Sequence, residues 1–133
     1  MDTKHYLENA AYFTFDGNYR KHTEFINTYL AEKYDIEDIT NVPLEERLRL
    51  TSMLIHALVD EAQEVLGELP WKPWKTNYAD MTEVDIEAIR MEIVDVAHFV
   101  NNLIMVWFND VQEFHAMFAA KLAENVDRQE RGY

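Results

Sequence analysis

"IRMEIVDVAHFVNNLIMVWF", residues 89–108, decides how this chain is read. From Ile93 to Phe108 it is apolar on nearly every side, the pattern of a helix lodged in a bundle centre or between subunits. It nevertheless carries Glu92 and Asp95. Spaced by three, these acids sit one turn apart on one helical face.

The preceding stretch repeats the arrangement. In "LVDEAQEVLGELPWKPWK", residues 58–75, Glu61 and Glu64 are again three apart. Successive helical residues rotate by about 100°, so Leu54, Ala57, Glu61 and Val65 form a narrow stripe with Glu64 at its border. Two E-x-x-acid pairs therefore point where a core belongs. A single E-x-x-E usually marks a solvated face, and this chain has 25 acidic residues. Two such pairs, each on the apolar stripe of a long helix, argue otherwise. A buried carboxylate costs several kcal/mol or takes up a proton, so converging acids call for a compensating cation. With oxygen donors and no cysteine in the chain, Mg²⁺ or Mn²⁺ suits the site. A carboxylate-bridged di-iron bundle would need Glu-x-x-His on two helices. His98 lies three after Asp95, but Gly67 and Asp95 stand at that distance from Glu64 and Glu92.

Outward from these helices the pattern stays helical. "NYRKHTEFINTYLAEKY", residues 18–34, carries Phe25, Ile26, Leu30 and Tyr34 at helical spacing, and a short helix is expected around Tyr6 to Phe13. Pro43 opens a helix from Leu44 to about Leu69. Thr82 and Asp85 form a capped start for the next, which reaches about Trp107. Asn109 and Asp110 mark a turn, after which a last helix runs to the vicinity of Gly132. No convincing period-two stretch occurs. The expectation is an all-α single domain, residues 1–133, built as a bundle of four to five helices.

Bulk composition narrows the function classes. The chain has 133 residues, 48% hydrophobic, with three Gly and three Pro, which excludes disorder and favours long helices. A formal charge of −13 argues against a broad grip on nucleic acid, because that rests on Lys and Arg. No apolar run approaches the ~18 residues of a membrane span. The first residues lack a signal-peptide pattern, so a cytoplasmic protein without membrane or nucleic-acid partners is expected. The apolar surface of residues 93–108 exceeds what a four-helix monomer hides, which predicts a homodimer or a dimer of dimers.

Taken in order, E-x-x-E (Glu61, Glu64), "WKPWK" (Trp71 to Lys75) and E-x-x-D within "EIVDVAHF" (Glu92, Asp95, His98) resemble the all-α nucleoside triphosphate pyrophosphohydrolases. The nearest likeness is to the dimeric dUTPases and their phage relatives, with MazG-like enzymes as kin. The C-terminal "KLAENVDRQERGY" adds a Lys, Asn, Arg, Tyr series in Lys121, Asn125, Arg128 and Tyr133. The similarity covers about Leu48 to Tyr133.

The resemblance implies a metal-dependent enzyme that converts a deoxynucleoside triphosphate to its monophosphate and pyrophosphate, its fold completed by oligomerisation. Glu61, Glu64, Glu92 and Asp95 would hold two or three Mg²⁺ ions, for which Mn²⁺ substitutes, and Glu64 would be the general base beside Glu61. Lys121, Asn125 and Arg128, spaced by four and three, share one helical stripe and reach one row of phosphate oxygens, with Tyr133 at its end. Their other reading is a C-terminal helix whose cations complement its dipole. Lys72 or Lys75 would meet phosphate. Trp71 and Trp74 are either core anchors or flat faces for substrate. His98 either orients a ligand, meets the sugar or is a satisfied core histidine, and Asn102 follows it toward the deoxyribose. Asn27 matches a uracil-reading asparagine, without the glutamine that accompanies it in the family. dUTP leads as substrate; dGTP, dCTP or another nucleotide is the alternative, and a helical dimerisation or adaptor module is the non-enzymatic one.

Overall fold

The computed structural model describes residues 30, 32–34, 38–75 and 84–132. They contain a 3₁₀ turn, Ile39–Asn41, and three long helices: α1 Leu44–Gly67, α2 Ile86–Trp107 and α3 Val111–Arg131. No strand occurs among the described residues, so the fold is all-α. The expected first helices fall mostly outside the described residues. Of the stretch 18–34 only its end is seen, where the Lys33 and Tyr34 amides both donate to the Leu30 carbonyl at 3.1 and 2.8 Å.

Each helix begins and ends for a local reason. α1 follows Pro43, whose missing N–H costs nothing at a helix start. It stops at Gly67, two residues short of the expected end, because the Glu68 and Leu69 amides fold back onto Val65 and Leu66 at 3.2 and 3.1 Å ahead of Pro70. α2 is capped by Asp85, whose carboxylate accepts from the Ala88 amide at 3.0 Å. Thr82, its expected companion, lies outside the described residues. Asp110 caps α3 by accepting from the Glu113 amide at 2.8 Å, while the Asn109 amide donates back to Glu113 at 3.3 Å. α3 ends at Gly132, whose φ of 79° is costly for other residues.

Contacts divide the chain into two compact units, one of Met1–Leu44 with Ile104–Tyr133 and one of Glu45–Leu103. In the first, Leu30, Ile39, Val42, Met105 and Val106 are buried. Asn109 ties this unit across 70 residues, its side-chain oxygen accepting the Ile39 amide at 2.8 Å. Phe108 and Phe114 meet edge to face at 5.4 Å between centroids. In the second, Leu50 and Leu54 are buried on α1, and Asn101 and Asn102 on α2.

The stretch Ile93–Phe108 is less enclosed than its composition suggests. Ile93, Val94 and Val100 are exposed, whereas Met105 and Val106 are sealed. No single described helix is long and apolar enough to cross a membrane.

Removing the α2 cap tests this account. Asp85→Ala should lower stability by about 1 kcal/mol, read as a fall in the denaturant midpoint without a change in slope. An unchanged midpoint would mean that another group satisfies the Ala88 amide.

Candidate metal centre

Residues 45–67 of α1 and 86–103 of α2 belong to one unit, and together they gather three acids. Glu61, Glu92 and Asp95 each offer a carboxylate oxygen, and these atoms all lie within 4.8 Å of one another. Glu61 and Glu92 are partly buried, and the Asp95 side chain is 51% exposed. Partial desolvation, then the charges of Asp95, Glu64, Glu61 and Glu68, raise the Glu92 carboxyl above its ordinary range.

Such a trio suits a hard divalent ion. Mg²⁺ takes oxygen donors at about 2.1 Å, which places them roughly 3 to 4 Å apart.

The fourth expected acid stands apart. Glu64 is exposed and lies outside the 4.8 Å group, so the first pair does not point wholly inward. Its place at the border of the α1 stripe explains this, and its charge still reaches Glu92. Glu68 was missed by the sequence reading. Seven residues after Glu61, it falls on the same helical side, and that spacing was the available signal.

Around the acids the other residues sort clearly. His98 Nδ1 lies 3.5 Å from Asp95 Oδ1 with its side chain 57% exposed, so it is not a core histidine. Asn102 is buried two turns beyond Asp95 on its side of α2. Its neighbour Asn101, unremarked in the sequence, is 3% exposed, and neither end of its amide has a hydrogen-bond partner. Trp71 and Trp74 are not core anchors: they are 43% and 70% exposed and meet edge to face at 5.8 Å. Lys72 places its ammonium 5.2 Å from the Trp71 ring centroid, and Lys75 is exposed.

Lys121, Asn125 and Arg128 lie on exposed α3, in the other unit. Both cations are engaged by Glu124, at 3.0 Å from Lys121 and 2.7 Å from Arg128. Tyr133 and Asn27 lie outside the described residues.

The family model described as dUTPase matches residues 20–113, a stretch that takes in α1, the tryptophan-lysine loop and α2. The chain belongs to that family. Among relatives, the dCTP pyrophosphatase of Enterobacteria phage LZ5 is 34% identical over 71 residues, covering 47% of this chain and 41% of the relative. That of Enterobacteria phage T4 is 31% identical over 71 residues, covering 47% and 42%. The match thus spans about two fifths of these relatives' length. No solved structure matches.

The raised Glu92 carboxyl gives a signed expectation. Its folded-state pKa exceeds the unfolded value, so its protonation stabilises the metal-free fold at low pH, and that contribution is lost as pH rises through the folded pKa. At about pH 7 with chelator, Glu92→Gln should therefore melt higher than the parent, and the gap should close near pH 4. A gap of the opposite sign at neutral pH would mean that the carboxylate is favourably placed without a cation.

Proposed function

We propose that this protein hydrolyses a deoxynucleoside triphosphate to the monophosphate and pyrophosphate, with dUTP the leading substrate. The observation that carries the reading is the convergence of Glu61, Glu92 and Asp95 oxygens from two helices within 4.8 Å. These residues, with Glu64 beside them, would hold Mg²⁺ or Mn²⁺, two or three ions per site. Bound there, the metal supplies charge neutralisation for the phosphate chain and a more acidic water.

The chain's own groups do the rest. Water oxygen bonds to the α-phosphorus, the α–β bridging bond breaks, and pyrophosphate carries the bonding pair away. Glu64, exposed beside the cluster, accepts the proton of the attacking water as general base. His98 steadies Asp95 through the 3.5 Å approach of its ring nitrogen. Lys72 or Lys75 contacts phosphate, and Trp74 offers a flat exposed face to the base. Lys121, Asn125, Arg128 and Tyr133 take the outer phosphate oxygens, Asn102 the sugar and Asn27 the base. A cytoplasmic setting, where nucleotides are met, belongs to this reading.

A second substrate reading is dCTP, favoured by the two phage relatives whose names carry that activity. A panel of common nucleotides with Mg²⁺ or Mn²⁺, scored by monophosphate release, decides between them. Glu64→Gln should lose about 10²- to 10⁴-fold in turnover. Mn²⁺ should raise the parent's melting midpoint and leave that of Glu61→Gln nearly unmoved. No turnover of any triphosphate together with no metal-induced shift would favour the helical adaptor instead.

A homodimer or dimer of dimers completes the reading. Leu44, Leu48, Ile55, Val59 and Leu66 are exposed on α1 and fall within an arc of about 60°, an apolar row that a second copy would cover. Sedimentation at micromolar concentration should give a dimer or larger, and Val59→Asp should shift it toward monomer; a parent that sediments as a monomer would contradict the assembly.

A further inference from the structure

Beside the polar row on α3 stands a residue that the functional reading does not use. Positions 121, 125 and 128 fall within an arc of about 60°, and Glu124, between them along the helix axis, lies about 40° to the side of Arg128. Its two oxygens are divided between the cations, Oε2 at 3.0 Å from the Lys121 ammonium and Oε1 at 2.7 Å from the Arg128 guanidinium. Elsewhere on the described helices Arg49, Arg90 and Arg131 pair with Glu46, Glu87 and Asp127, one carboxylate to each cation. Glu124 serves two.

We propose that Glu124 is an internal counter-ion which the phosphate chain displaces to reach Lys121 and Arg128, and which takes both cations back as product leaves. This rests on the reading that those two cations contact phosphate. The exchange needs no backbone movement. The three side chains are 60%, 44% and 50% exposed in the order Lys121, Glu124, Arg128, so they can rotate apart in water. Exposed pairs spaced by three or four on a helix shift an equilibrium by about twofold each. Two pairs released together amount to about fourfold. That is enough to tune binding and too little to prevent it. The negative charge of Glu124 also opposes an approaching polyphosphate over a distance that salt shortens to about 8 Å at physiological strength. Glu124 is thus a positioning residue, acting on the substrate through the two cations.

Glu124→Gln keeps the side-chain length and removes the charge. Its KM for the triphosphate and its affinity for pyrophosphate, the latter by calorimetry with Mg²⁺, should both tighten about fourfold at low salt, and the gain should fade at high salt. Glu124→Asp should return both toward the parent values, and the melting midpoint controls for helix damage. Lys121→Ala and Arg128→Ala, measured alongside, should weaken both quantities. If they do and Glu124→Gln leaves them unchanged or weaker, the counter-ion role is overturned while the phosphate contact stands. If neither alanine variant changes pyrophosphate affinity, the phosphate reading of α3 fails and the proposal with it. Because pyrophosphate binding is read without turnover, absence of hydrolysis leaves both outcomes measurable.

Discussion

Like charges held within coordinating reach are the constraint on which the rest of this structure depends. Glu61 comes from α1, and Glu92 and Asp95 from α2, yet their oxygens lie within 4.8 Å of one another. At about 4 Å two unit charges repel by roughly 1 kcal/mol even in water, and by more near a protein surface. The fold must hold these groups together against that repulsion. Leu50 and Leu54, buried on the same helix as Glu61, contribute to that hold, since each buried leucine is worth about 2 kcal/mol. At Glu92 desolvation first, and the neighbouring carboxylates after it, raise the carboxyl above its ordinary range. Three carboxylates so close together suit a divalent cation.

Helix ends make that placement reproducible. The Asp85 cap sets where α2 begins, and so sets the turn on which Glu92 and Asp95 fall. At the other side, Gly67 and the folded-back amides of Glu68 and Leu69 stop α1 shortly after Glu64. The chain then enters the proline-stiffened loop at once. Pro70 and Pro73 flank Trp71 and Lys72, so the aromatic pair is held just past the acidic helix while remaining open to solvent. An exposed tryptophan pair carries apolar area that a free chain would bury.

How much of this was legible in the sequence differs by scale. The helical periods and the Asn109–Asp110 turn marked α1, α2 and α3 to within a few residues, because period and capping are local properties of the chain. Pairing of Glu61 with Glu92 and Asp95 followed from two stripes that had to share one interior. Glu64 departed because a residue at the border of a stripe is assigned inside or outside by neighbours on other helices, which spacing alone cannot weigh. The tryptophans were open for a related reason: a ring in a loop has no periodicity to say which way it turns. Asn101 and Asn102 show the limit most sharply. They are adjacent, identical in type and both buried, and at Asn101 both ends of the amide are sealed from solvent without a hydrogen-bond partner.

The acidity of the chain bears on how it would hold a polyanion at all. With 25 acidic residues against 12 Lys and Arg, long-range steering works against any phosphate ligand. Recognition then has to come from short-range, directional contacts. On α3 even the cations sit beside their own carboxylates, Lys121 and Arg128 with Glu124 and Arg131 with Asp127. A basic surface would bind polyphosphates, nucleic acids included, largely by charge and with steep salt dependence. Neutralised cations and an acid cluster invert that preference. On the function proposed above, a bare polyanion would meet repulsion, whereas one carrying divalent ions would bring its own partner for the carboxylates. The negative charge that opposes a broad grip on nucleic acid is concentrated at Glu61, Glu92 and Asp95, where three carboxylates together suit a divalent cation.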